Sequence, residues 1–338
     1  MPDGPSTTEM ANDARWLAQA TDPAGDILRL IEMSPEAYRA ASFLDDRLLQ
    51  GPVNAQTRPF NAIAAALKKD GRADARWIFH IGHVGSTLIS RLLGELDNVL
   101  AIREPRLLRD LAAMPAARRS ELTPTIQRLF SRTFHAGEIA LVKATSFVGE
   151  IAGELVHAGT RALFVHVGAA TYIATILAGA NSLKELSALA PGRALRMEGR
   201  VRNLADSGDS PAHLAAAAWA CEMTALESAA AAIGERPVRW VDFDAFLQAV
   251  PTGLGELAGF LGFAAAPGRI EEIVCGPLLS RYSKAPEYEY SSALRAELIE
   301  EQRRIRAVQI DDALAMLNRS AQESPLLARA LARGSSER

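Results

Sequence analysis

The stretch HIGHVGSTLISRLL, residues 80–93, carries the residue types best suited to chemistry. Gly82 and Gly85 bracket a turn directly after a strand-like run, RWIFHI, and Ser86 and Thr87 open a segment with helical spacing. Glycines let backbone N–H groups approach an anion closely, and a helix start adds unsatisfied donors and the positive end of a dipole. The hydroxyls of Ser86 and Thr87 can donate to phosphate oxygens. Gly82, His83, Val84, Gly85, Ser86 and Thr87 therefore form a candidate phosphate cradle. It is not a Walker A loop, because no lysine precedes Ser86, so the group that reaches a γ-phosphate in an ordinary ATPase or kinase is missing. The alternative is a strand–helix turn in which Gly, Ser and Thr serve shape and capping alone.

Two further side chains sit at the ends of strand-like runs. Glu104 closes VLAIRE (99–104) and is a candidate general base, since a strand-end carboxylate lies on the rim where parallel sheets bind ligands. Its alternative is a salt bridge to Arg103, Arg106 or Arg109. Lys143 follows IALV and is a candidate for stabilising developing negative charge; its alternative is a lysine snorkelling to water. Only five of the 37 basic residues are lysines, so a lysine at a strand end suggests that a compact ammonium is wanted there. The six histidines have no ligand spacing, His80 and His83 spanning a strand end and a loop, and no metal site is expected. No G-x-S-x-G elbow occurs. Cys221 reads as a small core residue, and Arg200 and Arg202 as a solvated loop that could also touch an acceptor or a phosphate.

Strand-like runs recur at RWIFHI (76–81), VLAIRE, IALVKAT (139–145), ALFVHVG (162–168) and VRWVDFD (238–244), with helical segments between most of them. That alternation predicts a parallel sheet covered by helices. Residues 1–25 are polar with Pro and Gly and are expected to be loose; 26–67 repeat apolar residues at helical spacing and read as a helical prelude, with Ser34 and Pro35 as a helix start. The main domain then covers 71–290. Residues 211–233 and 292–318 read as long helices, and the C-terminal helices of 291–338 are expected to pack on the same domain.

The loop resembles the phosphosulfate loop of the PAPS-dependent sulfotransferase family, in which a strand leads into (K/R)-x-G-(S/T)-T-(L/W) and a helix, often written GR-x-GSTLLSRLL in bacterial and carbohydrate-type members. The resemblance extends to Arg103-Glu104-Pro105, to Lys143–Thr145, to VRWVDFDAFL with LGELAGFLGF, and to RYSKAPEYEYS (281–291), covering roughly residues 76–295. It implies a P-loop-type α/β fold with the phosphate strand central in about five parallel strands. It also implies sulfuryl transfer from PAPS to a hydroxyl or amine of a small molecule or carbohydrate. Backbone amides 84–87 would hold the 5′-phosphate, His83 and Lys143 would stabilise the sulfuryl group, and Glu104 would be the base. His83 stands where the family usually has Lys or Arg. Where the family usually places an arginine for the 3′-phosphate this chain has Val167, followed by Gly168 and Ala169. Thr175 fits the serine position that accompanies that arginine, and Arg281, Ser283 and Lys284 could supply the missing charge. The acceptor pocket is expected from 105–135 and 178–212.

With 338 residues, 49% hydrophobic and 23% charged, the chain is neither collagen-like, coiled-coil nor wholly disordered. A net charge of −3 gives no basic footprint for nucleic acid, no run reaches the length of a membrane span, and two cysteines make no disulfide framework. The start lacks a basic region followed by an apolar one, so a cytoplasmic location is expected. Two rivals stay open: a P-loop phosphotransferase or nucleotide-binding enzyme, and a family member that has lost donor binding and acts as a binding protein.

Overall fold

Five strands, each apolar along nearly its whole length, lie side by side in parallel at the centre of the molecule. The computed structural model describes residues 4–202, 204, 210–234, 237–280 and 291–335. An N-terminal unit comes first: α1 (Thr7–Asn12), β1 (Trp16–Thr21), β2 (Ile27–Glu32), α2 (Pro35–Ala40), β3 (Ala55–Pro59) and α3 (Phe60–Ala66). The α/β part follows with β4 (Arg76–His80), α4 (Ser86–Gly94), β5 (Val99–Arg103), α5 (Arg106–Ala112), α6 (Ala116–Phe130), β6 (Ile139–Lys143), α7 (Ala152–Leu155), β7 (Ala162–His166) and α8 (Ala169–Leu177). It continues with α9 (Ala180–Met197), α10 (Pro211–Ile233), β8 (Val238–Asp242), α11 (Phe243–Gln248), α12 (Val250–Leu261) and α13 (Arg269–Cys275). Three C-terminal helices close the chain: α14 (Ser292–Ile305), α15 (Ala307–Ala321) and α16 (Pro325–Ser335).

The strand order is β5-β6-β4-β7-β8, all parallel, with β4 in the middle. Strands of such a sheet are covered on both faces and so lack polar alternation, as β5 and β7 show by being buried at every position. Helix α4 packs on β4, β5 and β6, and α10 packs on β4 and against α8, α9, α15 and α16. Cys221 lies buried within α10. The register pairs Arg103 with Lys143 and Ile78 with Lys143, so the polar ends of β5 and β6 meet at the carboxyl edge beside the loop after β4.

The N-terminal region departs from its expected form. Residues 16–21, 27–32 and 55–59 build a three-stranded antiparallel sheet in place of a loose tail and a helical prelude. The apolar residues of ILRLIE fit both periods, and the turn between β1 and β2 decides for a hairpin. Gly25 takes a φ of +77° there, and the Asp22 carboxylate accepts from the N–H groups of Asp26 and Ile27, both at 2.8 Å. Helix α2 does begin at Pro35, with Ser34 Oγ accepting from Ala37 N–H at 3.1 Å, and FNAIAAA is helical. Residues 292–318 form two helices, because Arg306 leaves the helical region at φ −111° and ψ +19°.

Two buried guanidinium groups fasten the N-terminal unit to the sheet. Arg103 donates to the carbonyls of Tyr38, Arg39 and Ala41 at the end of α2. Arg132 donates to those of Met10, Ala11 and Trp16. Burial pushes both guanidinium groups down to about 10.

Candidate functional site

A cleft of 480 Å³ opens at the carboxyl ends of β4, β5 and β6. Its floor is the loop from Gly82 to Thr87, and Glu104, Lys143 and Thr175 share its wall. The sequence separates these groups by up to 93 residues, from Gly82 to Thr175; the parallel sheet brings them together because each lies at or beyond the carboxyl end of a strand on the same edge.

The loop backbone is unusual. Gly82, His83 and Gly85 all have positive φ, at +80°, +54° and +66°. A non-glycine residue in the left-handed region costs about 1–2 kcal/mol, so the fold holds His83 there against its preference. Gly85 is required twice over, because a Cβ on it would lie 1.9 Å from the Phe243 ring as well as at positive φ. At Gly82 the nearest side-chain atom, Ser146 Oγ, would be 3.7 Å away, so only the conformation requires glycine.

This backbone leaves donors open. Among the described residues none accepts from the N–H of Val84, Gly85, Ser86 or Thr87, and Gly85 caps α4 with no side-chain bond. Among the described residues Thr87 Oγ1 and Thr145 Oγ1 are buried without a hydrogen-bond partner, and both residues line the cleft. Gly82 contributes shape only, since its own N–H donates to His80 Nδ1 at 3.0 Å.

Lys143 Nζ donates to Glu104 Oε1 inside the cleft, with the lysine side chain 1% exposed. The snorkelling alternative is therefore excluded. Glu104 also takes a positive φ, +54°, and its N–H donates to Lys143 O at 2.7 Å. Its partner is not a neighbouring arginine: Arg103 faces α2, and Arg106 pairs with Asp46 and Asp110. His83 Nε2 lies 3.7 Å from Glu185 Oε2 on α9, at the mouth.

The other expected residues fare differently. Thr175 lines the cleft, but its hydroxyl donates to Thr171 O at 2.8 Å. Val167 is buried, with its carbonyl accepting from Trp219 Nε1 at 3.0 Å. Arg281, Ser283 and Lys284 lie outside the described residues. Of the two regions expected to form an acceptor pocket, Ala178, Gly179, Ser182 and Glu185 line the cleft and none of 105–135 does. Arg200 is away from it, paired with Glu150, and Arg202 donates its N–H to Ser324 Oγ at 2.9 Å.

Three cleft residues were not legible beforehand. Phe243, at the start of α11, presses its ring on Gly85. Arg295, on α14, donates to Asp244 Oδ1 at 2.7 Å and sits 5.2 Å from the Phe243 ring centre. His80 lies beneath the loop. VDFDAF marks a strand end and could have suggested Phe243; nothing in SALRAELIEEQRRI says which arginine reaches the cleft.

Among the described residues no group of three or more His, Cys, Asp or Glu side chains is placed to hold a metal ion, and no helix is long and apolar enough to cross a membrane. No protein-family model matches the sequence, and no curated protein does. Three solved structures to which the chain is similar are these. The sulfotransferase domain from the curacin biosynthetic pathway is 11% identical, over 73% of this chain and 96% of that one, with a TM-score of 0.44. The mouse sulfotransferase SULT7A1 complexed with PAP is 10% identical, over 77% and 89%, at 0.42. The sulfotransferase domain from the Synechococcus PCC 7002 olefin synthase is 14% identical, over 73% and 95%, at 0.41. All three are sulfotransferases.

Proposed function

We propose that the chain transfers a sulfuryl group from PAPS to a hydroxyl or amine of a small molecule or carbohydrate. One observation carries this reading: the open N–H groups at the start of α4 and the buried Lys143–Glu104 pair face the same cleft. The loop motif and its resemblance to the phosphosulfate loop point the same way.

In this reading the amides of Val84 to Thr87 and the Thr87 hydroxyl hold the 5′-phosphate. The acceptor oxygen attacks sulfur in line, the bond from sulfur to the 5′-phosphate oxygen breaks, and that electron pair leaves with PAP. Lys143 and His83 offset the charge growing on the sulfuryl and bridging oxygens. Lys143 occupies Oε1 of Glu104, which leaves Oε2 to take the acceptor proton. Arg295 and Thr175, together with Arg281, Ser283 and Lys284, bind the 3′-phosphate in place of the arginine absent at position 167.

Calorimetry with PAP, ADP and ATP–magnesium tests the proposal. PAP binding tighter than ADP is the expected outcome. Absence of PAP binding overturns the mechanism; ATP–magnesium binding alone then points to a phosphotransferase, and silence from all three to a binding protein.

A further inference from the structure

We infer that His80 is a positioning residue that sets the shape of the anion cradle through the bond its Nδ1 accepts from Gly82 N–H. The inference rests on the reading of the cleft above and adds a residue that neither the motif nor the chemistry singled out.

His80 ends β4 and is buried. Its Nδ1 accepts from Gly82 N–H at 3.0 Å, and its Nε2 lies 2.9 Å from Ala144 O. The first bond requires a lone pair on Nδ1, so the ring proton sits on Nε2 and donates to Ala144. One neutral imidazole thus bridges two backbones: the loop that presents the open N–H groups, and the residue directly after Lys143. A return bond from Ala144 N–H to Ile78 O, at 3.0 Å, ties the same two strands from the other side.

The bridge explains the shape of the loop. Satisfying Gly82 N–H inward lets the chain pass through positive φ at Gly82 and His83, and among the described residues none accepts from the next four N–H groups, whose residues line the cleft. Without Nδ1 the part-buried Gly82 N–H loses its acceptor, and the loop relaxes to satisfy it in some other way. His80 therefore acts on the ligand through the backbone.

Two substitutions separate its two bonds. In His80→Asn the side-chain oxygen takes the place of Nδ1 and the link to Ala144 is lost. In His80→Gln the terminal amide reaches toward Ala144 and the acceptor for Gly82 is lost. The full chain in each form is compared by deuterium exchange of peptides covering 81–88 and by PAP titration, with thermal unfolding as the control for folding. The expected result is that His80→Asn keeps loop protection and PAP affinity within about threefold of the parent. His80→Gln speeds exchange in the loop and weakens PAP by about tenfold, the scale of one lost hydrogen bond, at a matching unfolding midpoint. Equal behaviour of the two variants, or a loss that simply follows the unfolding midpoint, overturns the inference. If the parent chain binds no PAP, the sulfuryl-transfer reading fails, and the exchange contrast alone decides the role of His80.

Discussion

Two strand–turn–helix units stand side by side in the sheet, β4 leading into α4 and β7 into α8. Both strands end in histidine, and both helices have nine residues and a glycine cap with no side-chain bond. The turns differ. After β4 the chain passes three times through positive φ and opens onto the cleft that holds Glu104 and Lys143. After β7 Gly168 has an ordinary φ of −59°, Val167 is buried, and the first turn of α8 faces a separate cavity of 620 Å³ without either residue. The histidines differ too. His80 is hydrogen-bonded at both ring nitrogens, whereas among the described residues His166 Nδ1 has no hydrogen-bond partner and the ring packs edge-on against Trp240. A helix start is thus common to both units, and the turn before it determines whether its donors meet reactive groups.

The contrast can be broken most severely at the carboxylates. Glu104→Gln should slow sulfuryl transfer by about 10²–10⁴-fold, the usual worth of a general base, with PAP affinity nearly unchanged. Asp242→Asn, on the β8 side, should leave the rate within about threefold; single-turnover transfer from labelled PAPS measures both, and an unaffected Glu104→Gln rate removes that residue as the base.

Stability separates the two units next. Lys143→Ala leaves Glu104 buried alone and should cost about 3–5 kcal/mol in urea unfolding, most of it regained when Glu104→Leu is added to Lys143→Met. A smaller effect is expected at His166, where burial first and the nearby Arg333 second push the imidazole down to about 4. The unfolded chain takes up a proton near pH 6.5 that the folded chain refuses. The stabilisation is therefore complete above about pH 6.5 and falls by about 3 kcal/mol as pH drops toward 4. Urea unfolding of His166→Gln between pH 7 and 4 should lack that part of the slope; an identical slope would assign the acid sensitivity elsewhere.

The mildest test compares the two turns. Gly85→Ala should cost about 2 kcal/mol and abolish PAP binding, since a Cβ there strikes Phe243 at positive φ. Gly168→Ala meets only Gly334 O at 3.2 Å, at an ordinary φ, and should shift stability by about 0.5 kcal/mol with binding intact. Equal losses in calorimetry would show that the left-handed turn is not what distinguishes the units.

The sheet was legible because its strands are buried on both faces and read as unbroken apolar runs: RWIFHI, IALVKAT and ALFVHVG contain β4, β6 and β7. The loop was legible because glycine at positive φ has few substitutes. The N-terminal hairpin was missed because ILRLIE satisfies two periods at once, although the TDPAGD turn was the available signal. The cleft wall was harder. Arg295 is one of several arginines along α14, and only the packing of α14 against α8 brings it to the cleft. In the sequence Glu104 is a strand-end carboxylate with three arginines as rivals for its charge. Its partner is 39 residues away, and no local pattern announces the pairing.

Arg103 and Arg132 also bear on modularity. Each places a guanidinium in the interior, and each is satisfied by three backbone carbonyls of the N-terminal unit. Excising residues 1–70 would remove all six of those carbonyls at once, and Arg103 is the residue immediately before Glu104. The half that carries the cleft is therefore not a transplantable module. A chimera or trimmed chain that keeps the five-stranded sheet must also keep the small antiparallel sheet and α2, or replace both arginines.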